Sequence, residues 1–264
     1  MQSRDVTASL IKRVGSRKPS INKGDIYTNT KGCKYEVIEY YDSCTIHIKF
    51  LDKTAHECIV RAQGIRSGYP MNPFHPIYQG VGFMGVGKYD SYSKAFPVWT
   101  GMIDRVYSEN KLNYSTYKGC SVDEVWHNFQ NFSEWYENNF VKGWQLDKDL
   151  CVIGNKIYGP ETCSFVPSEI NSCILNCDVT GTGKDIGVTF DSDRSTWQAK
   201  ISTKGKLRSL GRFADKSQAM LCYKSEKENY LKALADEWKD KIDPRVYFNL
   251  KNMEVNSHLG IGEA

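Results

Sequence analysis

The chain has 264 residues, 40% of them apolar and 25% charged, with a formal net charge of +4. That composition excludes an intrinsically disordered chain, and the length fits two or three small domains better than one. A mildly positive balance permits a polyanionic partner without requiring one, so where the charge sits matters more than its sum.

Residues 1–22 are polar and basic, with Arg4, Lys12, Arg13, Arg17 and Lys18. They read as an N-terminal arm able to touch phosphate. Residues 23–70 hold short β-rich runs, GDIYTNT, KYEVIEYY, CTIHIKFL and HECIVRAQGI, divided by Gly, Asp and Ser turns. So many short strands in so short a span predict a small β-barrel domain. His47 and His56 lie in these strands with no partner at metal-ligand spacing. The stretch 67–90 contains GVGFMGVG, yet it lacks the GKS or GKT ending and the strand–loop–helix setting of a phosphate loop. It is expected to be an interdomain connection with tight turns.

Over 96–142 the rhythm becomes helical. FPVWTGMIDRVYSE places Val98, Met102, Ile103, Val106 and Tyr107 on one face. SVDEVWHNFQNFSEWYENNF does the same with Val122, Val125, Trp126, Phe129, Phe132, Trp135 and Tyr136. Ser121 and Glu124 have capping-box spacing, so a helix is expected to start there, with His127 off its apolar stripe. WQLDKDLCVIGNKIYGPETCSFVP, residues 144–167, reads as a hairpin whose first run closes on Asp147. Residues 183–255 read as three antiparallel strands with turns near 191–195 and 204–205, then a long amphipathic helix from Asp215 or Ser217. The expected fold class is therefore α+β: barrel, central hairpin-and-helix unit over 78–178, and a C-terminal sheet on a helix.

Two resemblances attach to these residues. The order Trp99-x2-Met102-x2-Arg105, Val122-x3-Trp126-x2-Phe129, LDKD and YGPETCSFV resembles the HNH-related endonucleases common in phages and mobile elements. The last unit resembles the ethylene-response-factor (apetala-type) DNA-binding domain. The match rests on Gly187-Val188, Trp197-x-Ala199-x-Ile201, Gly205-Lys206, Leu210-Gly211-x-Phe213, Ala219 and Tyr223. In that family the three-stranded sheet enters the major groove while the helix braces its back.

The first resemblance implies a ββα core around one divalent cation, Mg²⁺ or Mn²⁺, with Asp147 and Asp149 as ligands. A metal-polarised phosphate and an activated water are what phosphodiester cleavage needs. The family's histidine base is replaced by Lys148, and its asparagine by Thr162. A lysine is a poor base at its ordinary pKa of about 10.4. Glu161 and His127 are the remaining catalytic candidates.

The second reading also follows from alternation. On TWQAKIST, a two-residue period sends Trp197, Ala199 and Ile201 to one side and Gln198, Lys200 and Ser202 to the other. Arg194, Gln198, Lys200, Lys204, Lys206, Arg208 and Arg212 are then the expected DNA contacts, on that face or at its edges. Phosphate contacts set affinity, and Arg or Gln on base edges sets preference.

Nine cysteines, with no CxxC pair and no leader segment, predict a reducing, cytoplasmic setting, that of the host cell if phage-encoded. Cys151, Cys163, Cys173 and Cys177 lack the paired spacing of a thiolate zinc site, so free thiols rather than structural zinc are expected. No apolar run approaches the ~20 residues that span a bilayer, and no membrane partner is expected. Three readings result: a metal-dependent DNA endonuclease, a non-catalytic regulator of double-stranded DNA, or a phage factor that engages a host protein through the small barrel.

Overall fold

The computed structural model describes residues 20–109, 117–174 and 187–255, so most of the basic arm, Cys177 and the start of the last segment lie outside the described residues. The chain divides into two compact units, 1–75 and 76–264. No helix among the described residues is long and apolar enough to cross a membrane.

The first unit is a four-stranded antiparallel sheet, β1 (Ile26–Thr28), β2 (Lys34–Asp42), β3 (Thr45–Phe50) and β4 (Glu57–Val60), in sequential order. Alternation buries Tyr35, Val37, Ile46, Ile48 and Phe50 on one side. The expected barrel is not formed. Closing a barrel needs the edge strands to pair, but β1 has three residues and pairs only with β2. The open apolar face is covered instead by α1 (Ala62–Ser67), which buries Ala62 and Ile65 against it.

The second unit begins with a loop fastened to a helix. In α2 (Ala95–Tyr107) the buried residues are Ala95, Trp99, Met102 and Ile103, so Trp99 rather than Val98 leads the core face. Its indole donates to the Trp126 carbonyl at 2.7 Å. The helix expected from Ser121 is also different. Ser121 and Val122 form β5, which pairs in parallel with β7 (Ile157–Tyr158), and Glu124–His127 is one 3₁₀ turn. α3 (Phe129–Asn139) starts later, capped by the Asn128 side chain on the Gln130 amide. Val125 consequently points out, half exposed. The glycine-rich run 80–87 lies inside this unit and is fastened to α3: the Gln130 side chain donates to the carbonyls of Met84 and Tyr89 and accepts from the Tyr89 amide.

Trp144–Asp147 (β6) pairs antiparallel with Ser164–Pro167 (β8), and α4 (Ser168–Ile174) follows directly. Beyond it lies a three-stranded antiparallel sheet with β10 (Thr196–Thr203) between β9 (Val188–Asp191) and β11 (Lys206–Phe213). α5 (Lys216–Trp238) packs on this sheet through Ala219, Met220, Tyr223, Leu231, Leu234 and Ala235, and with buried Lys227 the series 220, 223, 227, 231 and 234 is spaced by threes and fours. α6 (Pro244–Asn252) completes the layer with Val246 and Leu250. Leu150, Cys151, Val166, Ile170 and Cys173 share this core with the sheet and α5. Lys227, buried on α5, even donates to the Cys173 carbonyl at 3.0 Å. The central hairpin and the C-terminal sheet therefore fold against common side chains. Asp215 caps α5 on the Ser217 amide at 3.2 Å. Its replacement by Ala is expected to cost about 1 kcal/mol, read as a lower midpoint in urea.

Candidate nucleic-acid interface and the Asp147 cleft

Cross-strand register decides which cations share a face, because directly opposed residues in an antiparallel pair point the same way. Ala199 and Ile201 are buried against α5, so their neighbours Gln198, Lys200 and Ser202 point outward. Opposite them stand Arg212, Ser209 and Leu207 on β11, and Thr189 faces Gln198 from β9. That is a polar sheet face with Lys200 near its centre. A register shift between Ala199 and Lys200 marks a β-bulge at Gly211–Leu210. Beyond it Arg208 pairs with Ile201 and Lys206 with Thr203, so both stand on the helix side of the sheet.

Ion pairing sorts the basic residues further. Arg208 reaches Glu226 on α5 at 2.7 Å. Lys204, in the turn, contacts Glu237 at 2.8 Å and Glu169 at 3.8 Å. Arg194 and Arg212 share Asp191, whose carboxyl is held below its ordinary range chiefly by the Arg212 hydrogen bond. The cation of each pair is more than a third exposed, although Asp191 and Glu169 are partly covered, and contacts of exposed groups are weak and exchangeable. Among the described residues no ion pair is formed by Lys200 or Lys206. The seven expected contacts thus divide: Gln198, Lys200 and Arg212 share the outward face, Arg194 lies at its rim, and Lys204, Lys206 and Arg208 turn toward the helix.

The hairpin site is built differently. Asp147 ends β6 almost fully buried, and its Oδ1 accepts the amides of Asp149 at 2.9 Å and Leu150 at 2.8 Å. Burial pushes its carboxyl up to about 6, against the pull of those amides and of Lys148. Lys148 is itself buried, with its ammonium on the Asp149 carboxylate and 5.8 Å from the centre of the Tyr158 ring. His127 lies elsewhere, its Nε2 at 3.4 Å from the Tyr107 hydroxyl. The Glu161 carbonyl accepts from the Arg245 guanidinium at 2.6 Å. Neither His127 nor Glu161 lines the cleft that Asp147, Lys148 and Asp149 help to form.

The two carboxylates of this donor set are already partly engaged. One Asp147 oxygen accepts two backbone amides, and the Lys148 ammonium sits on Asp149. Among the described residues no three His, Cys, Asp or Glu side chains gather as a metal group. Cys163 is a buried thiol pushed up to about 12 by its burial.

The cleft also holds residues that sequence reasoning gave no role. It measures about 430 Å³ and includes Arg105, Tyr117, Trp144 and Tyr158. Arg105 was visible in the Trp99-x2-Met102-x2-Arg105 spacing; the rings were not, since they come from three separate segments. Compared with protein-family models, with curated proteins and with solved structures, the chain matches none of them.

Proposed function

We propose that this protein binds double-stranded DNA through the outward face of the β9–β11 sheet, and that the hairpin serves as a support for that sheet rather than as a nuclease centre. The observation that carries the reading is Lys200, a cation without an acidic partner among the described residues, flanked by Gln198, Ser202 and Ser209 on a sheet braced from behind by α5. A twisted antiparallel ribbon of this kind fits a major groove, where Gln and Arg can meet base edges. Support for the non-catalytic part is the arrangement around Asp147, which is almost fully buried and has one carboxylate oxygen engaged by two backbone amides. Lys148 is then a structural ion-pair partner and not a base.

Affinity for duplex measured from low to high salt tests the reading. Lys200→Ala should flatten the slope of log affinity against log salt by about one, as one lost phosphate contact does. Arg208→Ala, on the helix side, should leave it unchanged. Equal effects of the two substitutions, or no duplex binding by the intact chain, would overturn the proposal. Incubation with Mg²⁺ or Mn²⁺ should yield no nicked product, and cleavage abolished by Asp147→Ala would restore the endonuclease reading.

A further inference from the structure

The cleft beside β6 has chemistry that neither a cation site nor a duplex interface uses. Its walls bring together a guanidinium, several aromatic faces and a pair of amides. Arg105 projects from α2 with its guanidinium carbon 5.8 Å from the Tyr117 ring centre and 5.9 Å from that of Tyr158. Its Nε is buried and has no hydrogen-bond acceptor. Among the described residues no carboxylate forms an ion pair with it, in contrast to Lys148, which is neutralised by Asp149. A buried guanidinium N–H without an acceptor is costly unless an anion provides one.

Trp144 adds a third ring, and the amides of Gln145 and Asn171, hydrogen-bonded to each other, stand at the same cleft. Paired amides present a donor and an acceptor side by side, the pattern that base edges offer in return. The volume, about 430 Å³, suits a ligand of small-molecule size.

We infer that this cleft is a binding site for a mononucleotide: Arg105 takes the phosphate, the rings supply the stacking faces, and Gln145 with Asn171 meets the base. Arginine suits the task because its planar fork matches phosphate oxygens while its face lies on aromatic rings. The site is separate from the β9–β11 face, so its occupancy does not depend on whether duplex binds there.

Calorimetric titration of the full chain with deoxynucleoside 5′-monophosphates tests this. The expected result is saturable binding at or below the millimolar range, about −4 kcal/mol or better. Deoxynucleoside alone and inorganic phosphate alone should each bind at least about tenfold more weakly, since each keeps only part of the recognition. Arg105→Gln should weaken the monophosphate by about tenfold or more, the loss of a charge-assisted contact, while Lys200→Ala should bind it as the wild type does. Absence of monophosphate binding, or binding no tighter than that of the two fragments, would overturn the assignment on the wild-type protein alone. Unchanged affinity in a folded Arg105→Gln variant would do so as well.

Discussion

Gly187→Ala is expected to destabilise the second unit by about 3 kcal/mol or more, the range of a forced overpacking combined with backbone strain. Gly187 has φ +71°, a left-handed conformation that costs a residue with a Cβ about 1 kcal/mol or more. The space is closed too: an added Cβ would stand 2.1 Å from the Tyr223 ring and 2.7 Å from the Lys200 carbonyl oxygen. The ring could swing away only by leaving the core under the sheet, where Tyr223 is buried. The backbone cannot yield cheaply either, because the Lys200 amide donates to the Gly187 carbonyl at 2.7 Å. Chemical denaturation should show the loss as a lower midpoint. A midpoint within experimental error of the wild type would show that the entry to β9 is looser than this packing implies.

Asp147→Asn should do the opposite and stabilise the protein at neutral pH. The buried carboxyl is raised from its ordinary 3.8 to about 6, so the folded state holds the proton more tightly than the unfolded state. Its favourable contribution is complete below about pH 4, where both states are protonated. Stability then falls as pH rises from about 4 to 6, by about 3 kcal/mol for the two-unit shift. Above that range the penalty is constant. Asparagine keeps an oxygen for the Asp149 and Leu150 amides and carries no charge to desolvate, although its NH₂ needs a new partner. The expected gain at pH 7.5 is about 2 kcal/mol, with the decline between pH 4 and 6 greatly reduced. A variant less stable at pH 7.5, with the wild-type pH profile intact, would mean that the carboxylate is better compensated than its burial indicates.

Much of the architecture was legible in local pattern. The alternation of TWQAKIST anticipated the burial of Ala199 and Ile201, with Trp197 only partly buried, and of the two expected starts of α5, Asp215 and Ser217, the former is the cap. The mixed α+β character and the C-terminal three-stranded sheet followed from the same signals. What failed depended on partners distant in sequence. Barrel closure is decided at strand edges, and nothing in GDIYTNT or HECIVRAQGI says that β1 and β4 will remain apart. The aromatic spacing of 122–136 continues through Asn128, which hid a strand at Ser121 whose partner, Ile157, lies in the hairpin.

The candidate site was legible to the same depth. Gln198 and Lys200 reach the outward face because a two-residue period is enough to place them. Arg208 and Lys206 do not, because the bulge near Gly211 shifts the register of the adjoining strand and has no mark beyond one glycine. Ion pairing was not legible at all: Glu226, Glu237 and Glu169 come from helices that only the fold brings to the sheet. At the hairpin, the motif picks out Asp147, but not its burial or the two backbone amides that its Oδ1 accepts. The neighbouring Arg105 stands in the Trp99-x2-Met102-x2-Arg105 spacing, but its ring partners, Tyr117 and Tyr158, are remote in the chain and only the fold brings them to it.

Backbone amide resonances of the ¹⁵N-labelled full chain, followed while duplex DNA is added, locate the contact surface without any substitution. Shifts should concentrate at Thr189, Gln198, Lys200, Ser202 and Ser209, leaving the buried face of β10 at Ala199 and Ile201 less affected. Perturbations confined to residues 20–75, or none at a concentration where duplex is bound, would place the contact elsewhere and contradict the account.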